Sequence, residues 1–271
     1  MSNNNGNVAI VTGATAGIGR ATAAALLSAG YRVFGTSRRA AVGSTHGVTM
    51  LICDVTSATS VAQMVAEVMK QAGRIDVVVN NAGNALIGGA EESSVEQAQA
   101  LFDVNVFGVF RVTNQVLPIM RHQGRGRIVN ISSVVGFIPS PFSALYTSSK
   151  HAIEGYSETL DHEVRSFGIR VLLVEPAFTR TSLEQNATQP DRIISVYDKA
   201  RTNMNAVWNS AIEAGDAPEL AADAVVAAAT AETPKLRNPT SQRARRLYLL
   251  RRFVPASAFD KSLRKEMKLP A

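Results

Sequence analysis

Cysteine is almost missing: Cys53 is the single thiol in 271 residues, which excludes an internal disulfide. The apolar run Met50-Leu51-Ile52 before it predicts a buried thiol, and no histidine stands nearby in sequence to make it a nucleophile. Histidine is scarce as well. His46, His122, His151 and His162 are scattered without metal-ligand spacing, so no structural zinc is expected. No apolar run reaches the roughly 20 residues that a membrane-spanning helix needs. The start, Met1 to Asn7, lacks the basic residues and apolar stretch of a secretory signal, which predicts a cytoplasmic protein. Aromatic residues make up only 6%, so aliphatic packing should build the core.

Basic residues exceed acidic ones by 28 to 22, for a net charge of +6. The excess is confined to one place. Between Lys235 and Lys268 eleven Lys or Arg stand against Asp260 and Glu266, a net of +9 that leaves −3 for the rest. A nucleic-acid groove would need basic residues across the fold, and nothing before residue 235 supplies one. The region 235–271 therefore reads as a basic C-terminal extension. Within it, Arg243-Ala244-Arg245-Arg246 and Arg251-Arg252 interleave with Leu247, Leu249, Leu250 and Phe253. That pattern suits an amphipathic helix, packed on the domain or on a sister subunit, or touching a membrane surface without spanning it.

Val8 to Val11 is a short apolar run that ends at a glycine turn, followed by a helical pattern from Gly17 to Gly30. Extended patterns follow at Arg32 to Ser37 and Val48 to Cys53, then a helix over Ser57 to Ala72 with Val61, Met64, Val65 and Val68 on one face. Val77-Val78-Val79 suits a parallel strand buried on both sides. A long helix is expected over about Val95 to Met120, a strand over Arg127 to Ile131, a helix over Ala144 to Phe167 and a strand over Arg170 to Glu175. Such alternation predicts an α/β protein: a Rossmann-type doubly wound parallel sheet between two helical layers, in one domain spanning 1–271. Ligands of such sheets bind at the carboxyl ends of the strands, and the punctuated stretch 176–215 is the candidate substrate lid over that edge.

Gly13, Gly17 and Gly19 lie between the first strand and first helix, where glycines permit a sharp turn and let backbone N–H groups approach a pyrophosphate. Their spacing differs from the usual dinucleotide fingerprint. At the end of the second strand, Ser37-Arg38-Arg39 stands where a carboxylate would bind a ribose 2′-hydroxyl. Arg38 can instead fork onto a 2′-phosphate, which favours NADP(H), unless both arginines are merely solvated. Tyr146 and Lys150 are four residues apart in a helical pattern and share a face. An ammonium beside a phenol favours the phenolate, so Lys150 should lower the proton affinity of Tyr146.

These features, namely Thr12 to Gly19, Asn80-Asn81-Ala82-Gly83, Ser133, and the pair Tyr146 and Lys150, occur in this order. Over about Val8 to Thr181 the chain resembles the short-chain dehydrogenase/reductase family. The resemblance implies catalytic residues Asn105, Ser133, Tyr146 and Lys150, with Ser133 on the substrate oxygen and Asn105 holding a water that links Lys150 to solvent. It implies a cofactor set of Thr12, Gly13, Thr15, Gly17, Ile18, Gly19, Ser37, Arg38, Asp54, Val55, Asn81, Ala82, Gly83, Tyr146, Lys150, Pro176 and Thr179. Asp54 would bind the adenine or else cap the next helix; Asn81 would contact the cofactor or fix the backbone beside it. Ala177 replaces the usual glycine after Pro176.

Substrate contacts are expected from Ser133, Val135, Phe142, Tyr146 and Phe178, where the apolar side chains suit a hydrophobic substrate or else core and subunit packing. The tail resembles that of the hydroxysteroid and retinol dehydrogenase-like branch. The implied function is NADP(H)-dependent interconversion of a carbonyl and a secondary alcohol, with a 3-oxoacyl thioester reductase as the enzymatic alternative. A non-catalytic NADP(H)-binding sensor or scaffold is the reading of another class, although such a protein has no need for all four catalytic residues together. The family's habit implies a homodimer or homotetramer assembled through the two long helices.

Overall fold

The computed structural model describes residues 6–39, 43–183 and 186–269. Of the segment Met1 to Asn7 only the last two residues fall within that range, and residues 184–185 of the stretch 176–215 lie outside it. One sheet organises the chain. In sequence order its strands are β1 (Val8–Val11), β2 (Arg32–Ser37), β3 (Gly43–Thr45), β4 (Val48–Ile52), β5 (Val77–Asn80), β6 (Gly126–Ile131), β7 (Ile169–Glu175) and β8 (Arg237–Pro239). Their spatial order is β3-β4-β2-β1-β5-β6-β7-β8, parallel throughout except for β3 against β4. The order reverses at β1, which places a crevice at the carboxyl ends of β1 and β5.

The period of two along each strand divides the core between the faces. Val8, Ile10, Val78 and Ile128 point to the side covered by α2 (Ala58–Ala72), α4 (Gly108–Gln123) and α5 (Ala144–Val164). Ala9, Val11, Val77, Val79 and Val129 point to the other side, under α1 (Gly17–Ser28) and α7 (Pro218–Thr230). Alternate burial on both faces explains why these strands read as continuous apolar runs. The expected doubly wound, three-layer architecture is therefore present.

Several boundaries differ from the sequence expectation. The helix foreseen over Val95 to Met120 is three pieces: α3 (Val95–Phe102), a π-helical turn at Asp103–Phe107, and α4. Likewise α5 stops at Val164, and Arg165–Phe167 forms a 3-10 turn. β3 was not foreseen. It joins β4 through His46 and Gly47, both at positive φ (50° and 84°), the geometry of a tight hairpin turn in which histidine stands where asparagine is commoner. In the basic extension from 235 the first residues form β8 beside β7, a strand that was not foreseen. Two further helices follow, α8 (Gln242–Phe253) and α9 (Ala256–Glu266). No helix of the described residues is long and apolar enough to cross a membrane.

Candidate active site

At the carboxyl ends of the strands lies a cavity of about 730 Å³. One end is the turn after β1. Gly13 and Gly17 there have φ of +66° and +51°, where a side chain would be strained. Gly19 is required for a different reason: a Cβ on it would overlap the carbonyl oxygen of Gly13 and the amide of Asn81. Helix α1 begins at Gly17, and the residue capping it, Ala16, offers no side-chain acceptor to the first N–H groups. That uncapped positive end facing the cavity suits a diphosphate, so the residues present fit a dinucleotide.

Thr12 sits behind this wall, buried. Its hydroxyl accepts the N–H groups of Asn81 (2.9 Å) and Ala82 (3.0 Å) and so welds the end of β1 to the end of β5. The Asn81 side chain donates to Thr12 O (2.9 Å) and Gly13 O (3.1 Å), an arrangement that fixes the backbone. Ser37, Arg38 and Arg39 line the cavity beyond the glycine turn, and Arg38 is exposed. Asp54 and Val55 line the same region. The Asp54 carboxylate accepts from Thr56 N (3.0 Å) and Thr56 Oγ1 (2.8 Å), which holds its pKa below the usual carboxylate range; the N-cap of α2 is Ser57 rather than Asp54. Burial pushes the Cys53 thiol up to about 11, consistent with an inert sulfur.

At the other end Tyr146 and Lys150 project from the first turns of α5 into the cavity wall. The Lys150 ammonium is buried, donates to Ile131 O at the end of β6 (2.9 Å), and lies 5.6 Å from the Tyr146 ring centroid. Burial drives its pKa down to about 8, against the opposing pull of Glu154. Ser133 is half-buried at the end of the same strand, and its hydroxyl accepts Val135 N (3.3 Å) while reaching Pro176 O at 3.5 Å. Its neighbour Ser132 is committed elsewhere, donating to the buried carboxylate of Glu154.

Ser133, Val135, Tyr146, Lys150, Pro176, Phe178 and Thr179 all line the cavity, together with Gly13, Thr15, Gly17, Ile18, Ala82 and Gly83. Thr12, Gly19, Asn105 and Phe142 do not. Asn105 lies in the π-helical turn, where its side chain accepts Asn84 N (2.9 Å) and donates to Asn84 O (2.9 Å) and Ser149 Oγ (3.1 Å). It ties that turn to the loop after β5 and to α5. Phe142, at a φ of 58°, packs beside the cavity with Met204 and Trp208. Ala177 is not among the residues at positive φ, so alanine is accommodated where the family uses glycine.

Ile87 is a wall residue without a sequence signal, whereas Val134 next to Ser133 and Trp208 in the stretch 176–215 stood out as apolar candidates. Trp208 and Ile87 complete an apolar side with Val134 and Phe178, and the Phe178 and Trp208 rings meet edge-on at 6.0 Å. Trp208 is carried by α6 (Asp198–Glu213), and its buried indole N–H has no acceptor among the described residues. Beneath the ends of β6 and β7, Arg237 of β8 binds Glu175 (2.6 Å) and Glu154. Burial, the Glu154 charge and only partial relief from Arg237 push Glu175 up to about 7. Among the described residues no group of His, Cys, Asp or Glu could hold a metal ion.

The short chain dehydrogenase family model matches residues 7–192. A 3-ketodihydrosphingosine reductase of Bacteroides thetaiotaomicron is 41% identical over 181 residues, a match spanning 66% of each chain. The uncharacterized oxidoreductase YusZ of Bacillus subtilis is 34% identical over 97% of this chain and 99% of its own length. A solved short-chain dehydrogenase from Streptomyces avermitilis superposes with a TM-score of 0.80 at 33% identity, over 99% of this chain and 96% of that one.

Proposed function

Starting from the fact that the chain belongs to the short-chain dehydrogenase/reductase family of oxidoreductases, we propose that it interconverts a hydrophobic carbonyl compound and its secondary alcohol, using NADP(H). The observation that carries this reading is the buried Lys150 ammonium 5.6 Å from the Tyr146 ring on the wall of a cavity fit for a dinucleotide. Bound nicotinamide would supply the hydride for reduction or accept it for oxidation. Tyr146 gives its phenolic proton to the substrate oxygen, and Ser133 donates a hydrogen bond that holds that oxygen in place. The charge of Lys150 stabilises the phenolate left behind, and its bond to Ile131 O keeps the ammonium from swinging into solvent. Asn105 acts as a positioning residue that fixes the turn facing α5.

Val134, Val135, Ile87, Phe178 and Trp208 supply an apolar wall that would desolvate a long or bulky carbonyl substrate. The 3-keto lipid base named for the Bacteroides relative is of that chemical type. The stretch 176–215 serves as the substrate lid: it carries Phe178 and Trp208, and the Thr181 methyl stands 3.2 Å from where a Cβ on Gly17 would be. Preference for NADP(H) rests on Arg38, since no carboxylate occupies the end of β2 and Asp54 is engaged by Thr56.

Oxidation of NADPH and NADH should be followed with bulky ketones and with 3-oxoacyl thioesters. The bulky ketones should give the higher kcat/KM; higher values for the thioesters would move the substrate assignment to them. Arg38→Ala should lower kcat/KM for NADPH by about tenfold to a hundredfold, the worth of a charged hydrogen bond, and change NADH little. Equal losses with both cofactors would remove the NADP(H) assignment.

A further inference from the structure

Helix α8 carries five arginines and no acid. Its inner side is fixed by packing. Ala244 is buried against Val134 and Ile138, with Leu247 beside it, and Tyr248 meets Phe137 edge-on at 5.5 Å. Arg251 donates to Phe137 O at 3.2 Å. At about 100° per residue, the opposite side collects Arg245, Arg246, Leu249, Leu250 and Phe253, with Arg252 on its flank. Leu249 is 44% exposed, Leu250 47% and Phe253 73%. Arg245, Arg246 and Arg252 are exposed and make no ion pair among the described residues. The outer face is therefore an apolar group of Leu249, Leu250 and Phe253 bordered by three cations with no ion pair among the described residues.

The chemistry of that face selects among occupants. A second copy docked about a two-fold axis would set the three arginines against themselves, a repulsive contact. A nucleic acid would neutralise the arginines but leave Leu249 and Phe253, at the centre, facing phosphate and sugar. An anionic bilayer answers both halves of the pattern, because its headgroup boundary takes apolar side chains between negatively charged phosphates. We propose that the outer face of α8 docks the protein on an anionic lipid surface, with Leu249 and Phe253 entering the headgroup boundary and Arg245, Arg246 and Arg252 meeting lipid phosphates.

The docked surface adjoins the cavity. Arg243, on the flank of α8, stacks 5.2 Å over the ring of Phe178, and the inner side of the helix packs on Val134; both Phe178 and Val134 line the cavity. A bilayer held by α8 would present lipid-soluble carbonyls next to that wall. Docking itself does not depend on which substrate is turned over.

The test is flotation of the full chain with phosphatidylcholine vesicles, with and without phosphatidylglycerol. The protein should float only with the anionic vesicles, and less as salt is raised. Combined Arg245→Gln, Arg246→Gln and Arg252→Gln should lower the partition coefficient by about a hundredfold. Leu249→Ser with Phe253→Ser, which keeps every charge, should lower it by about tenfold. Thermal midpoint and turnover of a water-soluble ketone should be unchanged in both variants. If the double variant loses its thermal midpoint, Phe253→Ser alone should still lower partition by about threefold. Three results overturn the proposal: wild type that stays in solution with anionic vesicles, serine variants that bind as tightly as wild type, which would mark generic polyanion binding, or a serine variant whose sedimentation velocity shows a smaller assembly, which would mean a second copy covers the face.

Discussion

Lys150 illustrates how much a residue's surroundings change its chemistry. Four residues of helix bring it beside Tyr146, but only the fold buries it and brings its pKa down to about 8, through desolvation that the neighbouring Glu154 partly offsets. In the proposed reaction the ammonium, present below that pH, stabilises the phenolate formed as Tyr146 gives up its proton; above it the charge is lost. The kcat/KM for carbonyl reduction should therefore fall as pH rises through about 8. A profile that stays flat across that pH would mean that the Lys150 charge does not support the reaction. The Tyr-Lys pair, Ser133 and the glycines were legible because each sits at a fixed spacing within or beside one element. The cluster behind Ser132 was not: its partner Glu154 comes from α5, and Arg237, which pairs Glu154 with Glu175, joins β8 to β7 only when the sheet assembles.

Among the elements, the strands with continuous Val and Ile were the clearest in sequence, because burial on both faces leaves no polar position to confuse the pattern. Two breaks were hidden. The π-helical turn at Asp103–Phe107 keeps the helical run of residues intact, so periodicity alone does not reveal it, although Asn105 inside it was an unusual helix residue. Helix α6 was also obscured, since only Met204 and Trp208 of its sixteen residues are buried and its remaining polarity resembles a loop.

The segment leading into α6 is anchored by Glu92 of the 3-10 turn Ala90–Glu92. Its buried carboxylate accepts Ile194 N (2.8 Å) and Gly89 N (2.8 Å) and pairs with Arg201. Burial alone would raise the pKa of Glu92, but these donors outweigh it and hold it below the ordinary value. Its contribution to stability is thus present at neutral pH and is lost as pH falls through that depressed pKa. Glu92→Ala should cost about 3–5 kcal/mol in denaturant unfolding, the penalty for breaking a buried pair, and raise KM more than it lowers kcat. A loss under about 1 kcal/mol with unchanged KM would show that the 176–215 stretch is held by other contacts.

On the scale of the whole molecule, the parallel sheet and its strand-end crevice followed from the alternation of strand and helix, because right-handed crossovers leave few other arrangements. The charge distribution was legible as numbers but not as shape. The basic region contributes the edge strand β8, whose Arg237 reaches back beneath the site, and then turns into α8, whose inner side packs beside the cavity. What the assembled molecule adds to its sequence is one cavity joining the glycine turn after β1 to Tyr146 and Lys150 on α5. The most direct test of that arrangement is turnover of a hydrophobic ketone by Tyr146→Phe, measured beside its NADPH affinity. The ring keeps its packing and loses only the proton, so kcat should fall by about a thousandfold or more while the NADPH Kd stays within about threefold of wild type. Activity retained within about tenfold of wild type would contradict the assignment of Tyr146 as the proton donor.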